Sequence, residues 1–192
     1  MNISLSVDDK HRPYVVRTIR SVGFLLVNNF TLIAMANAIE SLRLANQLSG
    51  QKLYRWHTLT LDGRPVRASN GLLVSPDAAA ELSPALDAVF VCGGKDILRR
   101  CTAHLSSWLQ SQAMQGVYMG GFCSGSLALA VAGLLDGYEC SIDWAYWLEM
   151  QDGFPGVIVS PQLFVMDRNR YTASGGNASL EMTLRLIGVQ HG

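Results

Sequence analysis

Val117-Tyr118-Met119-Gly120-Gly121-Phe122-Cys123-Ser124-Gly125, followed by SLALAVAG over residues 126–133, is the stretch on which the fold turns. Residues 117–120 read as a short strand running directly into Gly121-Phe122-Cys123-Ser124-Gly125, and residues 126–132 read as a helix closed by Gly133. A cysteine between glycines at a strand-to-helix turn has the form of a nucleophile elbow, which holds its side chain at the carboxyl edge of a sheet. The glycines permit strained backbone and close approach, and the start of a helix favours thiolate over thiol. The same string also fits a small buried cysteine in a chain that merely turns.

Outward from the elbow, apolar runs alternate with helical periodicity. Residues 21–27 (SVGFLLV) form a continuous apolar run suited to a strand buried on both faces, bounded by Asn28-Asn29. Thr31 offers an N-cap, and Leu32, Met35, Ile39, Leu42 and Asn46 step at helical spacing up to Ser49-Gly50. Residues 55–61 form a second strand ending at Asp62-Gly63, and residues 64–84 carry the Pro, Ser, Asn and Gly of short strands and turns. Residues 88–92 (AVFVC) are another buried strand, ending at Gly93-Gly94. A helix over residues 102–115 is expected to present Leu105, Trp108, Leu109 and Met114 to the core. Residues 163–166 and 170–173 read as a hairpin around Asp167-Arg168-Asn169, with a final helix over residues 178–187. Strands alternating with helices, each strand unbroken in its apolar run, predict one α/β domain whose mostly parallel sheet is covered on both faces. Residues 1–20 read as a flexible polar lead-in and residues 21–192 as the domain.

The chain has 192 residues, of which 49% are apolar, enough for one sizeable core. Lys and Arg number 15, as do Asp and Glu, so the net charge is zero. That balance lacks the basic excess of an autonomous nucleic-acid binder and the high charge of a disordered chain. Apolar runs such as residues 127–132 fall far short of a membrane span. Cys92, Cys101, Cys123 and Cys140 contain no CxxC pair, and a chain this long needs no stapling. The charged start of the chain, with Asp8, Asp9, Lys10, Arg12, Arg17 and Arg20, has no signal-peptide apolar segment. These features place the chain in the cytoplasm with reduced thiols.

Chemistry at the elbow would need partners. Gly93-Gly94, after the preceding long strand, could bring backbone N–H groups to the same rim as an anion hole. A cysteine hydrolase needs a base, usually His. The histidines are His11, His57, His104 and His191; the first and last lie near the ends, and none follows Cys123 within the body of the domain. Cys101 and His104 share helical spacing, but two ligands make no zinc site, so neither metal nor cofactor is expected. Phe122, Trp144, Tyr146 and Trp147 gather around the elbow motif with Asp143 beside them. They could form a cage for an ammonium group, its charge balanced by Asp143; ordinary core packing accounts for the same spacing. Asn28, Asn29 and Phe30 follow the first strand and should reach the same sheet edge, where a turn held by local side-chain bonds is the simpler reading.

Several stretches together resemble a known family: residues 21–46 (SVGFLLVNNFTLIAMANAIESLRLAN), 54–77 (YRWHTLTLDGRPVRASNGLLVSPD), 90–94 (FVCGG), 120–144 (GGFCSGSLALAVAGLLDGYECSIDW) and 164–187 (FVMDRNRYTASGGNASLEMTLRLI). They are similar to the N-terminal domain of a subgroup of AraC-type transcriptional regulators, within the ThiJ/PfpI, class I glutamine amidotransferase-like superfamily. The resemblance is closest to regulators that respond to amino acids and to quaternary amines such as glycine betaine or carnitine. It implies a flavodoxin-like three-layer α/β sandwich, a homodimer, a small-molecule effector, and DNA binding only through a C-terminal helix-turn-helix domain absent from this chain. Enzymatic relatives pair the elbow cysteine with a His and a first-helix carboxylate. Here Ser124 follows Cys123, Ala34 and its neighbours stand where the acid is expected, and Asp143 precedes Trp144 where many of the regulators carry His. A retained elbow with a lost triad implies a ligand pocket rather than an enzyme, formed by Cys123, Ser124, Gly93, Gly94, Phe122, Asn29, Asp143, Trp144 and Trp147. The alternatives are a ThiJ/PfpI-type cysteine hydrolase or glyoxalase-like enzyme using Cys123, and a thiol redox switch at the same residue.

Overall fold

Ser21–Leu26 (β1) is the strand about which the domain is organised, in a computed structural model that describes residues 18–192. Alternate side chains of a strand point to opposite faces. Both faces of β1 are covered, Val22, Phe24 and Leu26 entering one hydrophobic cluster and Leu25 the other. The chain continues through α1 (Leu32–Ser49), β2 (Arg55–Thr60), a small hairpin of β3 (Val66–Arg67) and β4 (Leu73–Val74), then β5 (Ala78–Ala79) and β6 (Ala88–Cys92). It goes on through α2 (Ala103–Met114), β7 (Tyr118–Phe122), α3 (Gly125–Val131), β8 (Glu139–Cys140), α4 (Trp147–Gly153) and β9 (Ile158–Val159). The hairpin of β10 (Phe164–Asp167) and β11 (Arg170–Ala173) leads into the last helix, α5 (Gly176–His191).

Seven strands form one sheet in the order β10-β11-β7-β6-β1-β2-β5, parallel throughout except for the antiparallel pair of β10 with β11. Residues of α1 and α5 share one cluster with the sheet, and residues of α2, α3 and α4 share the other. This is the expected flavodoxin-like three-layer sandwich. The chain leaves β1 toward β2 and β5 on one side and resumes with β6 on the other, so strand order reverses between β1 and β6. Open α/β sheets bind ligands in the crevice outside such a reversal. Among the described residues no helix is long and apolar enough to cross a membrane.

Several expectations are corrected. Residues 1–17 of the expected lead-in lie outside the described residues, and residues 18–20 are part of the described chain before β1. Ile19 is wholly buried, and its N–H donates to Gln190 Oε1 at 2.7 Å. That tie also explains why the last helix runs past Ile187: Gln190 fastens its end, and the His191 ring meets the Tyr54 ring edge-on at 5.6 Å. In α2, Leu105, Trp108 and Leu109 are buried, whereas Met114 is 81% exposed. Five residues beyond Leu109 is about 140° around a helix, off the buried stripe. The inward stripe of α1 is Ala34, Met35, Ala38, Ser41 and Leu42, with Leu32 and Ile39 only flanking it. The small alanines admit α5 closely, so that the Ser179 hydroxyl reaches the Ala34 carbonyl at 2.8 Å. Asn46 caps no core position but bonds both the N–H and the carbonyl of Tyr54.

Candidate functional site

Three turns meet at the carboxyl ends of β1, β6 and β7. Among the described residues the non-glycine positions with left-handed backbone are Asn29 (φ 69°), Asp96 (φ 60°), Cys123 (φ 55°) and Arg168 (φ 52°). The first three each follow one of those strands. Conformations of this kind persist where the surroundings over-determine them, and they concentrate at functional sites. Here the over-determination is visible as a seam of hydrogen bonds. Thr31 N–H donates to the Gly93 carbonyl at 2.9 Å, Gly93 N–H to the Phe122 carbonyl at 3.2 Å, and Cys123 N–H to the Ala173 carbonyl at 2.8 Å. The Ser124 hydroxyl donates to the Gly94 carbonyl at 2.6 Å, and the Tyr146 hydroxyl reaches the same oxygen at 3.3 Å. Glycine is required where these turns touch: a Cβ on Gly94 would strike the Asn29 carbonyl oxygen, and one on Gly125 the Val91 carbonyl oxygen.

The seam corrects two expectations. Gly93 offers no free anion-hole donor, because its N–H is spent on Phe122. Cys123 is not a thiolate-favouring residue either. It is buried, and burial pushes its thiol above the ordinary value of 9.0; the Asp143 carboxylate adds to that rise, while a hydrogen bond from the Thr31 side chain opposes it. Desolvation is the largest of these effects, and α3, which begins two residues on at Gly125, has only seven residues. Thr31 itself occupies the N-cap position of α1 without a side-chain capping bond. Its hydroxyl serves the cysteine instead.

No described histidine serves Cys123 as a base. His57 lies on β2 opposite Gly23, His104 Nε2 pairs with Glu81 Oε1 at 2.9 Å on the surface, and His191 packs on Tyr54. His11 lies outside the described residues.

Beside the seam lies a cleft of about 330 Å³, lined among others by Asp143, Trp144, Trp147, Leu163, Ser174 and Gly175. Asp143 starts a single helical turn and accepts from Ala145 N–H at 3.0 Å. Trp144 is 86% exposed on the rim, and Trp147 Nε1 donates to Gln151 Oε1 at 3.2 Å. The opposite wall is fixed by serine bonds: Ser141 donates to the carbonyls of Gln162 and Leu163, and Ser174 to that of Leu163. Ser174 and Gly175 directly follow Ala173, the residue that holds the Cys123 N–H, so cleft and elbow adjoin.

The structure therefore brings Asp143, Trp144 and Trp147 together in one cleft. Cys123, Ser124, Gly93, Gly94 and Asn29 form the adjoining seam and do not line that cleft. Phe122 is placed elsewhere: it is wholly buried in the core on the α1 side, stacked on Phe90 at 4.9 Å, and presents no surface to a ligand. Thr31, Ser174 and Gly175 also stand at the site, and the sequence alone does not mark them for it. Thr31 read only as a helix cap, and nothing local marks Ser174-Gly175; their role follows from β11 lying next to β7.

A doubly wound α/β domain with an elbow cysteine, strained strand-end turns and a neighbouring aromatic cleft defines the class. The chain belongs to the DJ-1/PfpI family, which it matches over residues 20–188. It is 56% identical over 176 residues to the HTH-type transcriptional regulator GbdR of Pseudomonas aeruginosa, an alignment covering 92% of this chain and 48% of that protein. The HTH-type transcriptional regulator CdhR of the same species is 41% identical over 169 residues, covering 88% and 50%. The chain thus spans about half the length of these curated relatives. Isonitrile hydratase of Pseudomonas putida is 35% identical over 134 residues, covering 68% and 57%, so enzymes also occur among its relatives. The crystal structure of an AraC family transcriptional regulator from Pseudomonas putida superposes with a TM-score of 0.81 at 29% identity, covering 90% of this chain and 93% of that one.

Proposed function

We propose that this domain is the effector-sensing part of an AraC-type transcriptional regulator, acting in the cytoplasm as a homodimer and reaching DNA through a separate helix-turn-helix domain. The effector is a small nitrogenous metabolite, an amino acid or a quaternary amine of the betaine or carnitine kind. The observation that carries this reading is the convergence of one carboxylate, Asp143, and two indoles, Trp144 and Trp147, on a cleft beside three strained strand-end turns. An ammonium group is drawn to indole faces and to a nearby carboxylate. Gly175 stands at the head of the long helix α5, where backbone N–H groups favour the anionic end of a zwitterion. Control of DNA binding then requires different effector affinity in two arrangements of the dimer.

A thermal-shift panel of glycine betaine, carnitine, choline, amino acids and polyamines tests this. A ligand at 100 times its Kd adds about 2.7 kcal/mol of stability. One compound should give a clear rise in Tm that survives Cys123→Ala and is lost in Trp147→Ala. No shift from any compound sinks the reading.

Enzyme chemistry through Cys123 is the second reading, favoured by its left-handed elbow backbone and by the similarity to isonitrile hydratase. The buried, protonated thiol and the absence of a histidine among its described partners count against it. A reproducible hydrolase, hydratase or glyoxalase turnover abolished by Cys123→Ala would establish it.

A further inference from the structure

We propose that the domain has a second ligand pocket, at the carboxyl ends of β1 and β2, selective for a small carboxylate with an apolar body. A cleft of about 400 Å³ opens there, in the size range of small-molecule sites. Its walls include Val27, Leu61 and Leu105, which belong to the α2 side of the sheet. Two arginines line it, Arg64 from the loop after β2 and Arg100 from the end of the single turn Ile97–Arg100 after β6. It adjoins the reversal of strand order at β1 and shares no lining residue with the Asp143 cleft.

Neither arginine is held tightly by a carboxylate of the chain: both are exposed, and Arg64 has only the long ion pair with Asp62. The Arg64 backbone is pinned twice: its carbonyl accepts from the Thr60 hydroxyl at 3.1 Å, and its N–H donates to Asp62 Oδ1 at 3.0 Å. Its side chain is not. The nearest Asp62 oxygen lies 3.8 Å from Arg64 Nε, beyond hydrogen-bonding distance, and Arg100 forms no ion pair among the described residues. Two guanidinium groups against one carboxylate leave a net positive charge over an apolar wall. A planar guanidinium fork matches a carboxylate in a bidentate manner, and the half-buried Val27 and Leu61 receive the ligand's hydrocarbon part. The two clefts thus carry opposite preferences, cation at Asp143 and anion here, and the second does not depend on the first.

Isothermal titration of the 192-residue chain with sodium 4-methylpentanoate tests the proposal, with inorganic phosphate as an anion lacking the apolar part. Saturable binding at a single site is expected, weakened at least about tenfold in Arg64→Gln/Arg100→Gln and unchanged in Trp147→Ala. Both arginines are exposed, so the double variant should keep the wild-type Tm. Three results overturn the proposal: no saturable heat at millimolar concentration, equal binding by the double variant, or phosphate binding as tightly as the carboxylate. Loss of binding in Trp147→Ala would also overturn it, by assigning the carboxylate to the other cleft.

Discussion

Cys123 shows how far a motif can mislead about chemistry at the scale of one residue. The string around it correctly locates a strained turn, because glycine on both sides of a cysteine between strand and helix leaves little else for the chain to do. Its protonation was not legible. It depends on burial, on a carboxylate twenty residues away and on a hydroxyl at the head of α1, all brought together by tertiary structure. The balance of these effects makes definite rate predictions. Near neutral pH, alkylation of Cys123 by iodoacetamide should be slower than that of a free cysteine, since the thiolate is the nucleophile. Asp143→Asn removes a negative charge that disfavours the thiolate, and should speed labelling. Thr31→Val removes the bond that favours it, and should slow labelling further. Mass spectrometry of the labelled peptide reads all three rates. A wild-type rate above that of free cysteine would contradict the assignment and restore the redox-switch reading.

At the scale of the element, apolar periodicity places helices well and their faces less well. Leu105, Trp108 and Leu109 fall on one stripe and are buried, while Met114, apolar and near the helix end, lies off that stripe. Leu109→Ala should therefore cost about 2–5 kcal/mol of unfolding free energy, and Met114→Ala should stay within about 0.5 kcal/mol, as read from urea midpoints. Equal losses at the two positions would mean that α2 is rotated. The elbow presents a different constraint, which composition does reveal. Gly125 starts α3 where a Cβ would run into the Val91 carbonyl oxygen, backbone that no rotamer change can move. Gly125→Ala should destabilise by about 1–3 kcal/mol, the range for overpacked sites. Retention of wild-type stability would show that α3 can slide from the sheet. Short pairings were the least legible features. The two-residue strands β8 and β9 carry no period of their own, yet they belong to the segment between α3 and β10 that supplies most of one cleft.

For the molecule as a whole, alternating strands and helices sufficed to predict a covered parallel sheet, because only buried strands tolerate unbroken apolar runs such as AVFVC. Strand order did not follow from those runs, and with it went the position of every site that depends on which strands are neighbours. Burial of thiols has a further global consequence. Cys101 is pushed up to about 11 and Cys140 to about 12 from an ordinary 9.0, both chiefly by burial, and Cys123 is shifted the same way. Well below pH 9 these groups are protonated whether the chain is folded or not, and they contribute no pH dependence to stability. Above it, the unfolded chain releases protons that the folded chain retains. The unfolded state then binds fewer protons than the native state, and unfolding free energy falls as pH rises from about 9 toward about 12. Urea midpoints should be level between about pH 7 and 8 and decline from about pH 9 upward. In Cys140→Ala the whole curve should lie lower, because a buried side chain is lost, but its alkaline slope should be shallower, because one titrating group is gone. A midpoint that stays constant to about pH 10, or a variant with the wild-type slope, would show that these thiols ionise in the folded protein as readily as in the unfolded chain.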